Sequence, residues 1–258
     1  MNQRLPRSSR TLSPVVLTAA AVGLLLCLSQ AAWARAGGGG GHGGGAGGAI
    51  AGLIQLPLIL CMVVYIGVLH RLVAKRGAEA AALLRRLSAS DAKWRPEVLH
   101  QRIREVYLKV QEAWTKRDQE IARDCMSAQL FELHKTQTDA MIARHETNVL
   151  EAIELAQATI VGVANYGQPG FDSFWVYIEG SMIDYTVSDR TGHIIKGDNQ
   201  KSQAFHELWK FARGEKDWVL AEIVQEGSSG IKALEHIHSF SRGLTGHQPL
   251  RQYSGGEA

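Results

Sequence analysis

The chain is poor in cysteine, has no metal-ligand spacing and no internal repeat, and each absence narrows what it does. Of its three cysteines, Cys27 and Cys61 fall in strongly apolar segments, which leaves Cys125 alone in the remainder and excludes an intradomain disulfide. A single cysteine between helix-forming runs reads as buried packing rather than as a nucleophile. His193, His206, His236 and His238 lack any spacing that puts three ligands on one rigid element, so no metal is expected, and no cofactor motif accompanies them. The glycine tract from Gly37 to Gly48, with His42 inside it, is no phosphate loop: no strand precedes it and no Lys-Ser or Lys-Thr pair follows. Nucleic acid is not an expected partner, because no recognition motif accompanies the basic residues.

What is present begins with two apolar runs. Residues 1–34 carry Arg4, Arg7 and Arg10, then PVVLTAAAVGLLLCLSQ, then Ala32-Trp33-Ala34, the pattern of a secretory signal peptide or of an uncleaved signal anchor. Residues 35–49 are glycine-rich and read as a flexible linker. The run from Ile50 to Leu69 holds no charge and is long enough for a hydrocarbon core of roughly 30 Å, so residues 50–70 are expected to form a transmembrane helix. Its flank, with His70, Arg71, Lys75 and Arg76, predicts a cytoplasmic placement for everything that follows, whether the chain crosses once or as a hairpin.

Residues 71–91 read as a basic juxtamembrane helix, with Ala78 to Leu87 rich in Ala, Leu and Arg. Pro96 suits a first helical position, and Leu99, Ile103, Val106, Val110 and Trp114 recur at helical steps behind it. Asp118 and Ser127 are expected to cap two further helices. Strands are then expected at 158–164, 174–187, 204–213 and 218–224, because aromatic and β-branched residues recur there at period two. Gly180 predicts a bulge in the long strand, Asp189-Arg190-Thr191-Gly192 predicts a turn, and His193 to Asp198 is expected to extend that hairpin. The globular domain is placed at 92–226, and residues 227–258 read as a flexible tail with one helical turn around Ile231 to Ile237.

Charge is unevenly spread. Residues 71–117 hold 12 Lys and Arg against 5 Asp and Glu, a surplus of +7, whereas residues 118–226 hold 9 against 18, a balance of −9. The basic stretch adjoins the expected span, where anionic head groups attract it at roughly 1 kcal/mol per basic residue. Arg95, Arg102, Arg104 and Lys109 are the candidate lipid or membrane contacts, with a solvated helix face as the plain alternative.

WRPEVLHQRIREVYLKVQEAWTKRDQEIARDCMSAQLFELH, ETNVLEAIEL, FWVYIEGSMIDYTV and ELWKFARGEKDWVLAEI follow in that order, and together they resemble the bacterial members of the Tim-forty-four-like family. The resemblance covers about 92–225. It implies an α+β fold similar to nuclear transport factor two, a cone of helices laid across a curved antiparallel sheet around an apolar pocket. It also implies a non-enzymatic, lipid-binding or transport-associated protein of a bacterial inner membrane, and the basic stretch adds anionic membrane lipids as the expected partners. A scaffold that recruits a protein partner to the membrane is the alternative. The sequence lacks the long amino-terminal chaperone-binding region of the mitochondrial relative.

Trp114, Trp175, Tyr177, Tyr185 and Trp209 are the pocket or core candidates, with Trp114 and Trp209 read as anchors between helix and sheet. Asp184 and Tyr185 invite comparison with an acid and tyrosine pair in a catalytic pocket. Strand alternation puts them on opposite faces, so at most one is expected to point inward and no catalytic residue is expected.

Overall fold

The computed structural model describes residues 46–225 and 230–242, with side chains described at 59–225 and 233–242. The expected signal peptide and the linker up to residue 45 lie outside the described residues, as do residues 243–258. The chain divides into two units, Met1–Leu69 and His70–Ala258. Helix α1, Ala46–Leu87, is unbroken where the sequence separates a span from a following helix. Single glycines such as Gly67 and Gly77 weaken a helix by only about 1 kcal/mol each and do not end it. Among the described residues no helix is long and apolar enough to cross a membrane, and the side chains at 50–58 of the expected span lie outside them. Leu60, Val63 and Val64 of that span are exposed.

In the second unit, Asp91 caps a 3-10 turn, Ala92–Trp94, by accepting from Lys93 N, and helix α2 follows at Pro96–Lys116 with Pro96 in its first turn. Asp118 and Ser127 cap as expected, Asp118 on a 3-10 turn, Gln119–Cys125, and Ser127 on helix α3, Ala128–Ala143. Ser127 Oγ accepts from Leu130 N at 3.2 Å. The period of Leu99, Ile103, Val106 and Val110 sets one face of α2 against the sheet, and all four are buried.

The sheet has five strands: β1 Glu146–Asn165, β2 Ser173–Ser188, β3 Ile194–Arg213, β4 Trp218–Gln225 and β5 Phe240–Ser241. Their order is β4-β3-β2-β1-β5, antiparallel except for the short β1 and β5 pair. Strands β2 and β4 lie within a residue of their expected limits, β3 joins the expected hairpin extension at 193–198 to the expected strand at 204–213, and β1 is far longer than expected. Three register shifts let β1 run on through polar residues that interrupt the alternation, between Glu151 and Glu154, Leu155 and Gln157, and Ile160 and Gly162. Each extra residue bends the strand and adds twist, which curls the sheet. The bulge expected at Gly180 sits on the neighbouring strand instead. Gly180 pairs with Leu155, whose next partner step skips Ala156, and a Cβ at Gly180 would stand 2.7 Å from Glu154 O.

Helices on a curled, antiparallel-rich sheet make the fold α+β. Its core joins α1, α2 and the sheet: Leu84, Trp94, Ile103, Ile178, Trp209 and Trp218 are all buried in one cluster. Phe174 and Phe211 stack with centroids 4.9 Å apart, and Trp218 meets Phe174 edge-on at the same distance. Residues 230–242 are not a loose tail. Helix α4, Gly230–His236, leads into β5, Leu234 and Ile237 are buried, and Val163 N donates to Ser239 Oγ at 3.3 Å. The helical turn expected around Ile231 to Ile237 is present, but its docking on β1 is a tertiary contact that no local pattern encodes.

Candidate functional site

The sheet curls away from the helices at one end and leaves a cleft of about 1240 Å³ between them. Val110 and Trp114 of α2 and Leu130, His134 and Met141 of α3 form one wall. The long β1 to β3 arm forms the other, with Asn148, Asp184, Tyr185 and Ile195. Phe205, Glu207, Trp209 and Ile223 make the floor. The residues that lengthen β1 beyond its expected limits, together with the hairpin extension at the start of β3, thus build one side of the cleft.

Three of the five aromatic candidates border the cleft, Trp114, Trp209 and Tyr185, the last with its side chain turned to the other face. Trp114 is half-buried, and its Nε1 donates to Asn148 Oδ1 at 2.7 Å. Asn148 Nδ2 donates in turn to Asp184 Oδ1 at 2.6 Å and to Tyr185 O at 3.2 Å, a chain of bonds joining α2 to β1 and β2. The Tyr185 hydroxyl donates to Glu151 Oε1 at 3.2 Å. Trp209 is fully buried at the floor, its ring 5.5 Å from that of Tyr107. Tyr107 is itself buried, and its hydroxyl is pushed up to about 12, by burial first and then by the charge of Glu207.

Trp175 and Tyr177 do not reach the cleft. They alternate with the core residues Val176 and Ile178 and so take the opposite face of the sheet, where Tyr177 stacks on His206 at 5.7 Å. Lys210 Nζ lies over Trp175, 5.5 Å from its ring centroid. The alternation expected of Asp184 and Tyr185 holds: Asp184 Oδ1 shares the face of Asn148 and Trp114, whereas the Tyr185 hydroxyl reaches Glu151 on the other face and only its carbonyl oxygen joins the Asn148 group. Both residues border the cleft.

The basic candidates separate. Arg95 and Arg104 are exposed, and Arg104 borders a smaller hollow of about 320 Å³ over the bulge at Leu155. Lys109 is paired with Asp124 at 3.3 Å and with Glu105 at 3.6 Å. Arg102 is not a surface residue: it is 7% exposed. It turns inward because two main-chain carbonyls, of Trp218 and Asp124, lie within reach of its donors, and Glu105 closes the group at 3.1 Å.

His134, Asn148 and Glu207 escaped the sequence reading. Glu207 had a signal, since Phe205, Glu207, Trp209 and Phe211 share one strand face and place a carboxyl in a core-facing row. Burial raises the Glu207 pKa, offset in part by hydrogen bonds from Trp209 and Gln225. Burial lowers that of His134 and keeps its ring neutral. Cys125 is fully buried, and burial pushes its thiol up to about 11. Among the described residues no group of three His, Cys, Asp or Glu could hold a metal ion.

The sequence profile of the Tim44-like domain matches residues 80–242, an extent that takes in the end of α1 as well as α4 and β5. None of the curated proteins matches the sequence. The solved structure of the intermembrane space region of the chloroplast protein ARC6 is similar at 8% identity and a TM-score of 0.35. That similarity covers 48% of this chain and 93% of that one, and at this level it adds nothing to the family match.

Proposed function

Because the chain belongs to the Tim44-like domain family, a family of membrane-associated, non-catalytic binding domains, we propose that it is a membrane-anchored lipid-binding module. The cleft carries this reading. Its volume exceeds the roughly 300 to 1,000 Å³ of ordinary small-molecule sites. Apolar side chains such as Leu130, Met141 and Ile223 lie in it beside polar groups such as Asn148 and Glu207, as an amphiphile requires.

In this reading the fold is a nuclear-transport-factor-two-like cone. The charge-free run at 50–69 anchors the chain in a bacterial inner membrane, and the domain faces the cytoplasm. Arg71, Lys75, Arg85, Arg86, Arg95 and Arg104 are exposed, and they supply the basic surface that meets anionic head groups. Lipid extraction and mass spectrometry of the detergent-purified chain test the proposal. A lipid retained at about one per chain, and lost when Met141→Asp puts a charge in the cleft, supports it; a protein that carries no lipid after mild solubilisation overturns it.

One observation favours a protein partner instead. Leu133 and Ile195 are 53% and 52% exposed on opposite walls of the cleft, which is the kind of apolar rim a partner covers. Cross-linking from these two positions in the membrane distinguishes the readings, since a protein adduct there replaces the lipid.

A further inference from the structure

We propose that the inner end of the cleft binds a primary ammonium group carried on an apolar chain, with Glu207 as its counter-ion and His134 Nδ1 as a hydrogen-bond acceptor. The inference rests on the cleft being the binding site and names the head group it takes. Glu207 lies on the floor, where its Oε2 accepts from Trp209 Nε1 at 2.8 Å. No basic side chain pairs with it among the described residues. Arg144, on the cleft border, is held by Glu146 at 2.8 Å, and Lys196 is exposed. A partly buried carboxylate held only by neutral donors calls for a cation.

His134 supplies an independent sign of a missing ligand. It is 8% exposed and borders the cleft, its ring meets Trp114 edge-on at 5.4 Å, and its Nδ1 is buried without a hydrogen-bond partner. With the ring neutral and its proton on Nε2, Nδ1 is an acceptor. A carboxylate without a cation and an imidazole nitrogen without a donor, on residues that line one cleft, select a group rich in N–H. A primary ammonium has three donors and one positive charge, whereas a fatty-acid carboxylate has neither and would meet Glu207 as a like charge. The apolar side chains of Leu130, Met141 and Ile223 receive the alkyl part.

The chemistry fits both a free long-chain amine and the ethanolamine head of a phospholipid. The full chain in phosphatidylcholine nanodiscs is titrated with octylamine, octyltrimethylammonium and octanoate, following tryptophan fluorescence and heat, with empty nanodiscs subtracted. Octylamine should bind at least about tenfold tighter than either analogue, the difference one or two charge-assisted hydrogen bonds make. Glu207→Gln should remove that binding. His134→Phe, which keeps the charge of Glu207, should abolish the preference for octylamine over octyltrimethylammonium, and it serves as the test if Glu207→Gln does not fold. Nanodiscs made with phosphatidylethanolamine distinguish the sources: competition with octylamine identifies the lipid head group, and unchanged binding identifies a free amine.

Octanoate binding as tightly as octylamine, or octylamine binding unchanged in both variants, overturns the inference. Lipid retained by the purified chain with no affinity for any of the three probes also overturns it, while the lipid-binding reading survives. No retained lipid and no probe binding removes both.

Discussion

The Arg102 guanidinium is bonded to the main chain of Trp218, with Nε donating to the Trp218 carbonyl oxygen at 2.8 Å. The contact ties α2 to the first residue of β4, and Nη2 ties the same side chain to Asp124 O at 3.1 Å. Removing the side chain strands two carbonyls and opens a space in the core. Each buried unsatisfied group costs about 1 to 3 kcal/mol, so Arg102→Ala should lose roughly 2 to 6 kcal/mol. Arg104→Ala, on the exposed face, should stay within about 0.5 kcal/mol. Urea denaturation of residues 70–258 measures both, and equal midpoints would show that the Arg102 bonds carry no stability.

That pair also marks how far the sequence could be read. The helical period of α2 was legible because apolar side chains repeat at three and four residues, and the caps Asp118 and Ser127 were legible because their chemistry is local. Arg102 was not, because its partners are backbone carbonyls 22 and 116 residues away, which no local pattern encodes. The same holds for the cleft. Trp114 and Trp209 were recognisable as aromatics in periodic segments, but Trp175, Tyr177 and Tyr185 stand in such a segment too and take the other face. Residues 146–157 and 194–203 alternate poorly and are largely solvent-facing, so the arm that forms one wall left almost no hydrophobic trace. Its length follows from pairing with β2, a tertiary effect that overrides propensity.

A glycine fixes how the carboxy-terminal segment docks. A Cβ at Gly162 would stand 2.2 Å from Ile237 Cγ2, far inside van der Waals contact. Gly162→Ala should therefore displace α4 and β5 and cost about 1 to 3 kcal/mol. Ile237→Ala alone should also destabilise, by loss of buried area. In the double variant the clash is gone, so the two losses should fall short of additive, and a double-mutant cycle reads the difference. Strict additivity would mean that the two side-chain positions do not meet.

The two tryptophans of the cleft should differ in cost. Trp209 is fully buried and bonded to Glu207, whereas Trp114 is half-buried. Trp209→Ala should cost roughly 3 to 5 kcal/mol, and Trp114→Ala should fall at or below the lower end of that range. Trp114→Phe should cost about 1 kcal/mol, for the bond to Asn148. The order of denaturation midpoints checks the ranking, and a Trp114→Ala variant less stable than Trp209→Ala would reverse it.

Glu207 should leave its mark on the pH dependence of stability. Its folded pKa is raised above the ordinary 4.5, by burial more than its hydrogen bonds offset. The folded state therefore holds the proton longer than the unfolded state does. The resulting stability is fully present below the unfolded pKa and is lost as pH rises through the folded pKa. Glu207→Gln has no proton to lose, so its stability relative to wild type should grow as pH rises above 4.5 and then level off. Parallel wild-type and Gln curves across that window would mean that the carboxyl titrates normally in the fold.

The exposed basic residues should bring residues 70–258 to anionic membranes without the apolar run. This piece contains the whole described sheet and core, and Arg85, Arg86, Arg95 and Arg104 are exposed on it. Each contributes roughly 1 kcal/mol near an anionic surface. Arg102 is buried and Lys109 is already paired, so neither should add to the attraction. Co-sedimentation should show binding to vesicles with anionic lipid, little to neutral vesicles, and a fall at high salt, because a Debye length of about 8 Å at physiological ionic strength shortens further. Charge reversal at Arg95 and Arg104 should weaken binding while leaving the denaturation midpoint in place. Reversal at Lys109 should leave binding nearly unchanged, since that charge is already neutralised by Asp124 and Glu105. Equal binding to neutral and anionic vesicles would instead assign the attraction to apolar side chains such as Leu133 and Ile195.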